Sequence, residues 1–167
     1  MSQEMCFSSW CSWANRNRVT GVGAKDTGGI YLWARFDGEP ASGPARCDDE
    51  NVIYIGISDR TFKNRWYPLD RALRNLMKVK PGSRSARYIA LFGTDTLHLY
   101  VAVLPSYQLG QAFMGLGQCS LLDLKPTQWV SNNFLDEVYD LVLQYVERRL
   151  LLMYACSHGR RPSLNEK

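Results

Sequence analysis

An α/β fold built on a small central sheet is predicted by three observations. Segments 29–36, 52–57 and 94–104 alternate two kinds of side chain with a period of two. Segments 60–80 and 134–154 repeat apolar residues at threes and fours. Glycine, proline and acidic residues punctuate the chain between them. A period of two marks a strand with one face toward a core, and a period near 3.6 marks an amphipathic helix. The expectation is about three strands flanked by helices, with loop insertions.

The 167 residues suit one domain with its own core, and 46% apolar with 22% charged residues is a globular balance. No apolar run approaches the roughly 18 residues of a membrane span. The N-terminus shows no basic stretch followed by an apolar one, so neither membrane nor secretion is expected. Five cysteines are irregularly spaced without a Cys-x-x-Cys pair, which predicts free thiols in a reducing, cytoplasmic setting.

In chain order, residues 1–27 read as an arm packed on the domain by Trp10 and Trp13, with Arg16 and Arg18 able to reach along a polyanion. The domain proper is 28–167. In 29–36, Ile30, Leu32 and Ala34 alternate with Tyr31, Trp33 and Arg35, the latter face expected to be the open one. The 37–51 loop is acidic through Asp37, Glu39, Asp48, Asp49 and Glu50. In 52–57, Ile53, Ile55 and Ile57 are expected to join Ile30 and Leu32 in the core. Tyr54 and Gly56 then share the other face with Tyr31. Ser58 or Asp59 is the expected cap of the next helix, and Pro68 is expected to divide that helix in two. A Pro81-Gly82 turn leads to a short helix over 84–92, then to the third strand.

Residues 106–133 read as an irregular insertion with one short helix, serving as lid, dimer contact or specificity loop. The last helix is expected to show Phe134, Val138, Leu141, Val142 and Tyr145 as its apolar stripe. Beyond 141 it is apolar almost all round, as in a helix buried on several sides.

Charge is unevenly distributed. Segment 60–87 carries net +8 and the rest of the chain −4. A basic segment in an otherwise acidic chain is the footprint of a polyanion site, although a solvated helix face has the same composition. Arg60, Lys63, Arg71, Arg74 and Lys78 are the candidates for contact with nucleic acid. Glu147 stands out for the opposite reason. It shares a helix face with Leu143, Leu150, Leu151 and Tyr154, and no cation lies three or four residues away. A buried carboxylate needs a partner, either an arginine from elsewhere in the fold or a divalent cation.

Gly29-Ile30-Tyr31, then Tyr54-Ile55-Gly56, then Arg65 nine residues after Gly56, resemble the GIY-YIG nuclease family. The late helix extends the resemblance with Glu147-Arg-Arg-Leu150-Leu151-Leu-Met-Tyr154 and then Pro162-Ser-Leu-Asn165. Residues 155–161 make the Tyr-to-Pro link about six residues longer than is usual in the family, and Leu69 stands where some members carry histidine. The resemblance implies that the two tyrosine motifs lie on neighbouring antiparallel strands. It also implies a metal-dependent DNA endonuclease leaving 5′-phosphate and 3′-hydroxyl ends, of restriction or mobile-element type.

In that reading Glu147 holds Mg²⁺ (or Mn²⁺), Arg65 clamps the phosphate, and Tyr31 takes the proton of the attacking water. Tyr54 orients water or phosphate, and the Asn165 amide holds base or phosphate. Tyrosine ionises near pH 10, so a tyrosine base needs cations beside it. The partner is DNA, and a homodimer is left open. The competing expectation is an adaptor that keeps the fold and binds nucleic acid without cutting it.

Overall fold

In the computed structural model, the description covers residues 6–19, 28–75, 77–106, 108 and 128–165, the side chains of 128–139 excepted. In order these form β1 (Cys11–Ser12), a 3-10 turn (Trp13–Asn15), α1 (Arg16–Val19), β2 (Gly29–Arg35), β3 (Val52–Ser58), α2 (Phe62–Leu73), α3 (Arg84–Phe92), β4 (Leu99–Pro105) and α4 (Gln128–His158). Among the described residues the sheet has four antiparallel strands in the order β1-β4-β2-β3. Three strands are those expected, and the two-residue β1 from the arm is the addition. Most of the 106–133 insertion and residues 20–27 of the arm lie outside the described residues; α4 already begins at 128.

β2 is paired on both sides and buried on both faces. On one face Ile30, Leu32 and Ala34 pack with Ile55, Ala102 and Leu104 beneath Leu143 and Tyr154 of α4. On the other, Tyr31 and Trp33 join Tyr54, Val101 and Val103 beneath Phe62, Trp66 and Leu69 of α2, Tyr88 of α3 and Trp13 of the arm. The tyrosine face is therefore not the open one. α2 has an apolar stripe that must be buried somewhere, and the aromatic row of β2 is the surface that receives it.

Ile53 also departs from expectation. Trp33 pairs with Tyr54 but Ala34 pairs with Val52, so Ile53 is the extra residue of a β-bulge. The bulge moves Ile53 to the tyrosine face, while Ile55 and Ile57 remain with Ile30.

Thr61, not Ser58 or Asp59, caps α2 by accepting from the Asn64 N–H at 3.2 Å. The Ser58 hydroxyl instead donates to the Arg60 carbonyl at 3.0 Å. Pro68 lies inside a single helix rather than between two. Leu69, Ala72 and Leu73 beyond it are all buried, and that packing outweighs the one backbone hydrogen bond a proline removes. Ser83 caps α3 in the same manner as Thr61, accepting from the Ala86 N–H at 3.2 Å.

α4 is 31 residues long and one-sided. Leu143 and Tyr154 are buried, whereas Leu141, Tyr145, Leu152 and Met153 are exposed. The expected stripe fails at Leu141 and Tyr145, the side chains of its Phe134 and Val138 lie outside the described residues, and burial on several sides is incorrect, because a helix laid on one sheet face buries a single stripe. The 155–161 stretch carries the helix to His158, whose Nε2 lies 2.7 Å from the Asp48 carbonyl, and Gly159 ends it at φ +68°. No described helix is long and apolar enough to cross a membrane. Cys6, Cys11, Cys47 and Cys156 are free thiols.

Gly29 adopts φ +135°, and a Cβ there would stand 2.3 Å from the Leu104 carbonyl oxygen. Gly29→Ala should therefore destabilise the fold by at least about 1–3 kcal/mol, the cost of one forced backbone conformation. Urea unfolding measures this, and a midpoint equal to wild type would contradict the assigned geometry.

Candidate active site

The site begins with the register of β2 on β3, which sets Tyr31 opposite Gly56. Tyr54 precedes Gly56 by two residues and so shares its face. Its ring lies back along the strand over that glycine: a Cβ at 56 would stand 2.3 Å from Tyr54 Cε1 and 2.7 Å from its hydroxyl oxygen. The absent side chain lets the rings of Tyr31 and Tyr54 meet, with centroids 5.7 Å apart.

Two arginines close over this pair from different helices. Arg84, in the first turn of α3, donates from Nη1 to the Tyr31 hydroxyl at 3.0 Å. Its guanidinium carbon is 4.1 Å from the centre of the Tyr54 ring, within cation–π range. Arg65, in the first turns of α2, is the second cation acting on the pair. Tyr31 has no exposed surface, and its oxygen meets the Arg84 guanidinium.

Burial holds the Tyr54 phenol well above the ordinary tyrosine range, with Tyr31 and Glu147 adding to the rise and Arg84 and Arg65 opposing it. Tyr54 is consequently a hydroxyl, not a phenolate, at ordinary pH. Glu147 comes from α4 and is half-buried. Burial raises its carboxyl above the usual carboxylate range, while Arg84, Arg65 and the adjacent Arg148 pull it back. It makes no direct ion pair among the described residues. Tyr31, Tyr54, Arg65, Arg84 and Glu147 are thus one electrostatic cluster drawn from β2, β3, α2, α3 and α4.

Asn165 is placed differently from what the resemblance implies. Its Oδ1 accepts from the Ile55 N–H at 2.9 Å and its Nδ2 donates to the Ile55 carbonyl at 2.8 Å. The amide is engaged with the outer edge of β3 rather than turned toward a base or phosphate. His98 is likewise apart from the cluster, its Nδ1 lying 2.9 Å from the Phe36 carbonyl.

The five candidate nucleic-acid residues are dispersed. Arg60, Lys63, Arg74 and Lys78 are exposed, and Arg71 is partly buried, bonded to the Tyr67 hydroxyl at 2.9 Å. At about 100° per residue, Lys63 stands roughly 160° around α2 from Arg65. Arg74 pairs with Asp70 at 3.3 Å, and Asp70 also pairs with Arg16 of the arm. The +8 segment is thus partly neutralised on that side, and the arm's Arg16 is committed to the fold.

Between α2 and α3, beside the tyrosine pair, lies a cleft of about 280 Å³ lined by Trp33, Asn64, Arg65, Pro68, Leu69, Ser83, Arg84 and Ser85. Arg84 and Trp33 were not singled out by sequence reasoning. Arg84 is one of nine cations in the basic segment, and only the position of α3 against β2 distinguishes it.

A metal ion has a fitting but sparse donor set. Among the described residues no three His, Cys, Asp or Glu side chains gather to hold one. Mg²⁺ commonly binds through one or two carboxylates, retaining waters and taking substrate phosphate oxygens. Glu147 satisfies that requirement as a single carboxylate.

The raised Glu147 carboxyl has a consequence for stability. A folded value above the unfolded one means that wild-type stability is lost as pH rises through the folded value. Glu147→Gln, which cannot ionise, should unfold at an equal or higher urea concentration than wild type at pH 7. The difference should vanish below the ordinary glutamate range. A variant clearly less stable at pH 7 would show that Glu147 is held by a compensating partner.

Comparison with protein-family models, with curated proteins and with solved structures gives no match for this chain, so the chemistry of the cluster is read from its own residues.

Proposed function

We propose that this protein is a metal-dependent endonuclease that hydrolyses phosphodiester bonds in DNA, leaving 5′-phosphate and 3′-hydroxyl ends. The observation that carries the reading is the convergence of two tyrosines, two arginines and one lone carboxylate from five elements. Phosphodiester hydrolysis needs an acceptor for the proton of water, cations for the charge that develops on phosphorus oxygens, and an eased leaving oxygen.

Arg65 offers a planar fork to the non-bridging oxygens. Tyr31 is the proton acceptor, its hydroxyl held by the Arg84 guanidinium at 3.0 Å. Tyr54, kept protonated by burial, donates its hydroxyl to water or phosphate. Glu147 would hold Mg²⁺ or Mn²⁺, which when bound supplies Lewis-acid stabilisation of the scissile phosphate and the 3′ oxygen. Asn165 supports the site from behind, by fixing the Ile55 backbone next to Tyr54.

A second reading is a binding module that retains the arrangement without cutting. It is favoured by the complete burial of Tyr31, whose oxygen is already engaged by Arg84.

Plasmid digestion with Mg²⁺ and with EDTA separates the two: cleavage with Mg²⁺ alone supports the endonuclease, and binding without cleavage supports the module. Glu147→Gln should abolish cleavage and leave DNA binding nearly intact. In wild type the rate should fall on the acid side as protonation of Glu147 competes with the metal, and added Mg²⁺ should move that fall to lower pH.

Tyr31→Phe should lower turnover by on the order of 10²–10⁴, the usual worth of a general base, and the deficit should shrink at high pH. Tyr54→Phe should cost less and keep the wild-type pH profile. A pH–rate series on both variants checks this, and the reverse pattern would exchange their roles.

A further inference from the structure

The cleft between α2 and α3 offers more donors than the catalytic reading uses. No carboxylate lines it, and two guanidinium groups do. Two donors of its lining are buried with no hydrogen-bond partner among the described residues: the Nε1 of Trp33, which is 1% exposed, and the Nε of Arg84. Buried donors of this kind cost free energy unless an acceptor meets them. The N–H groups of Arg84 and Ser85 also stand at the start of a nine-residue helix, where no intrahelical acceptor exists and the helix dipole is positive. The two buried atoms of the cleft that lack a partner are both donors, which suits an anion with several acceptor oxygens.

We propose that this cleft is a seat for a phosphate group, bound by Arg65, Arg84 and the indole N–H of Trp33. On a nucleic-acid strand it takes the phosphate next to the one being hydrolysed, a clause that rests on the endonuclease reading. Trp33 is two residues from Tyr31 on the same face of β2, roughly 7 Å along the strand. Arg84 spans the two places, touching Tyr31 and Tyr54 while lining the cleft. The seat therefore adjoins the reacting centre and shares both of its arginines with it. A free phosphate and a backbone phosphate present the same oxygens, and the two arms of the test distinguish them.

In the first arm the full chain is titrated with inorganic phosphate at constant ionic strength, with chloride as the balancing anion. The Trp33 indole N–H resonance, assigned with Trp33→Phe, should shift with phosphate and not with chloride, and thermal stability should rise. Arg84→Gln should weaken phosphate binding by at least roughly tenfold, the worth of one charge-assisted hydrogen bond. Arg84→Lys should fall between the two, and Arg46→Gln, the same charge change in an exposed loop, should bind as wild type. In the second arm, oligonucleotides carry one uncharged methylphosphonate beside the scissile position. Wild type should lose affinity at that position, and Arg84→Gln should lose clearly less.

An unmoved Trp33 indole, or equal phosphate binding by wild type, Arg84→Gln and Arg46→Gln, overturns the seat even if DNA is cut. Arg84-dependent phosphate binding by a protein that never cuts DNA upholds the seat and sinks the endonuclease reading instead. Phosphate binding with no penalty at the methylphosphonate restricts the seat to free phosphate and overturns the backbone clause.

Discussion

The ring of Tyr54 lying along β3 over Gly56 is the contact from which the rest of the site follows. Any side chain at 56 would lift that ring, separating it from Tyr31 and from the guanidinium of Arg84 stacked on its face. A glycine inside a strand usually weakens it. Here the loss is repaid by close approach of two phenols on neighbouring strands, which in turn gives two arginines a common target. A motif glycine is thus a packing requirement first and a chemical one only through the tyrosine it accommodates.

That contact exists inside a second core, not on a surface. Trp13, Trp33, Trp66, Tyr31, Tyr54 and Tyr88 interlock at ring distances between 5.2 and 6.5 Å. Aromatic groups suit this role because each joins a large apolar area to one polar atom. The apolar parts hold α2 and α3 against the sheet, while the Tyr31 and Tyr88 hydroxyls meet arginines and the Trp33 and Trp66 indole nitrogens have no partner among the described residues. The electrostatic consequence follows from low polarisability: charge placed on any member of the cluster is felt by the others, as Tyr54 shows in its coupling to Tyr31, Arg84, Glu147 and Arg65.

The sheet was legible because strands announce themselves by a period of two, and the pleat alone correctly placed Tyr31 and Tyr54 together. The burial of their face was less legible. Ile alternating with Tyr and Trp looks like a half-exposed strand, yet both sets are large and apolar, the pattern of a strand covered on both sides. Ile53 was misplaced because a bulge depends on the partner strand and leaves no local mark. The stripe of α4 was misread because its sequence is apolar all round, so periodicity cannot select a face and only contact with β2 and β3 does. Of the cluster, Glu147 was visible as a carboxylate among leucines. Arg84 was not visible at all, being one basic residue among nine. The amide of Asn165 gave no hint that it would pair with main chain.

That last pairing bears on how the chain assembles in time. β3 is the outer strand, and Leu164 and Asn165 bond to Ile53 and Ile55 across 110 residues of sequence. During synthesis β2 and β3 can pair once residue 58 has emerged, but their free edge waits for 165. A nascent chain therefore carries an uncovered strand edge for as long as residues 59–165 take to be made, the state in which neighbouring chains associate edge to edge. Closure that depends on such distant partners is also slow to form. The same two residues that steady the backbone beside Tyr54 thus act as a late seal, and the cluster cannot take its final shape before nearly the whole domain has been made.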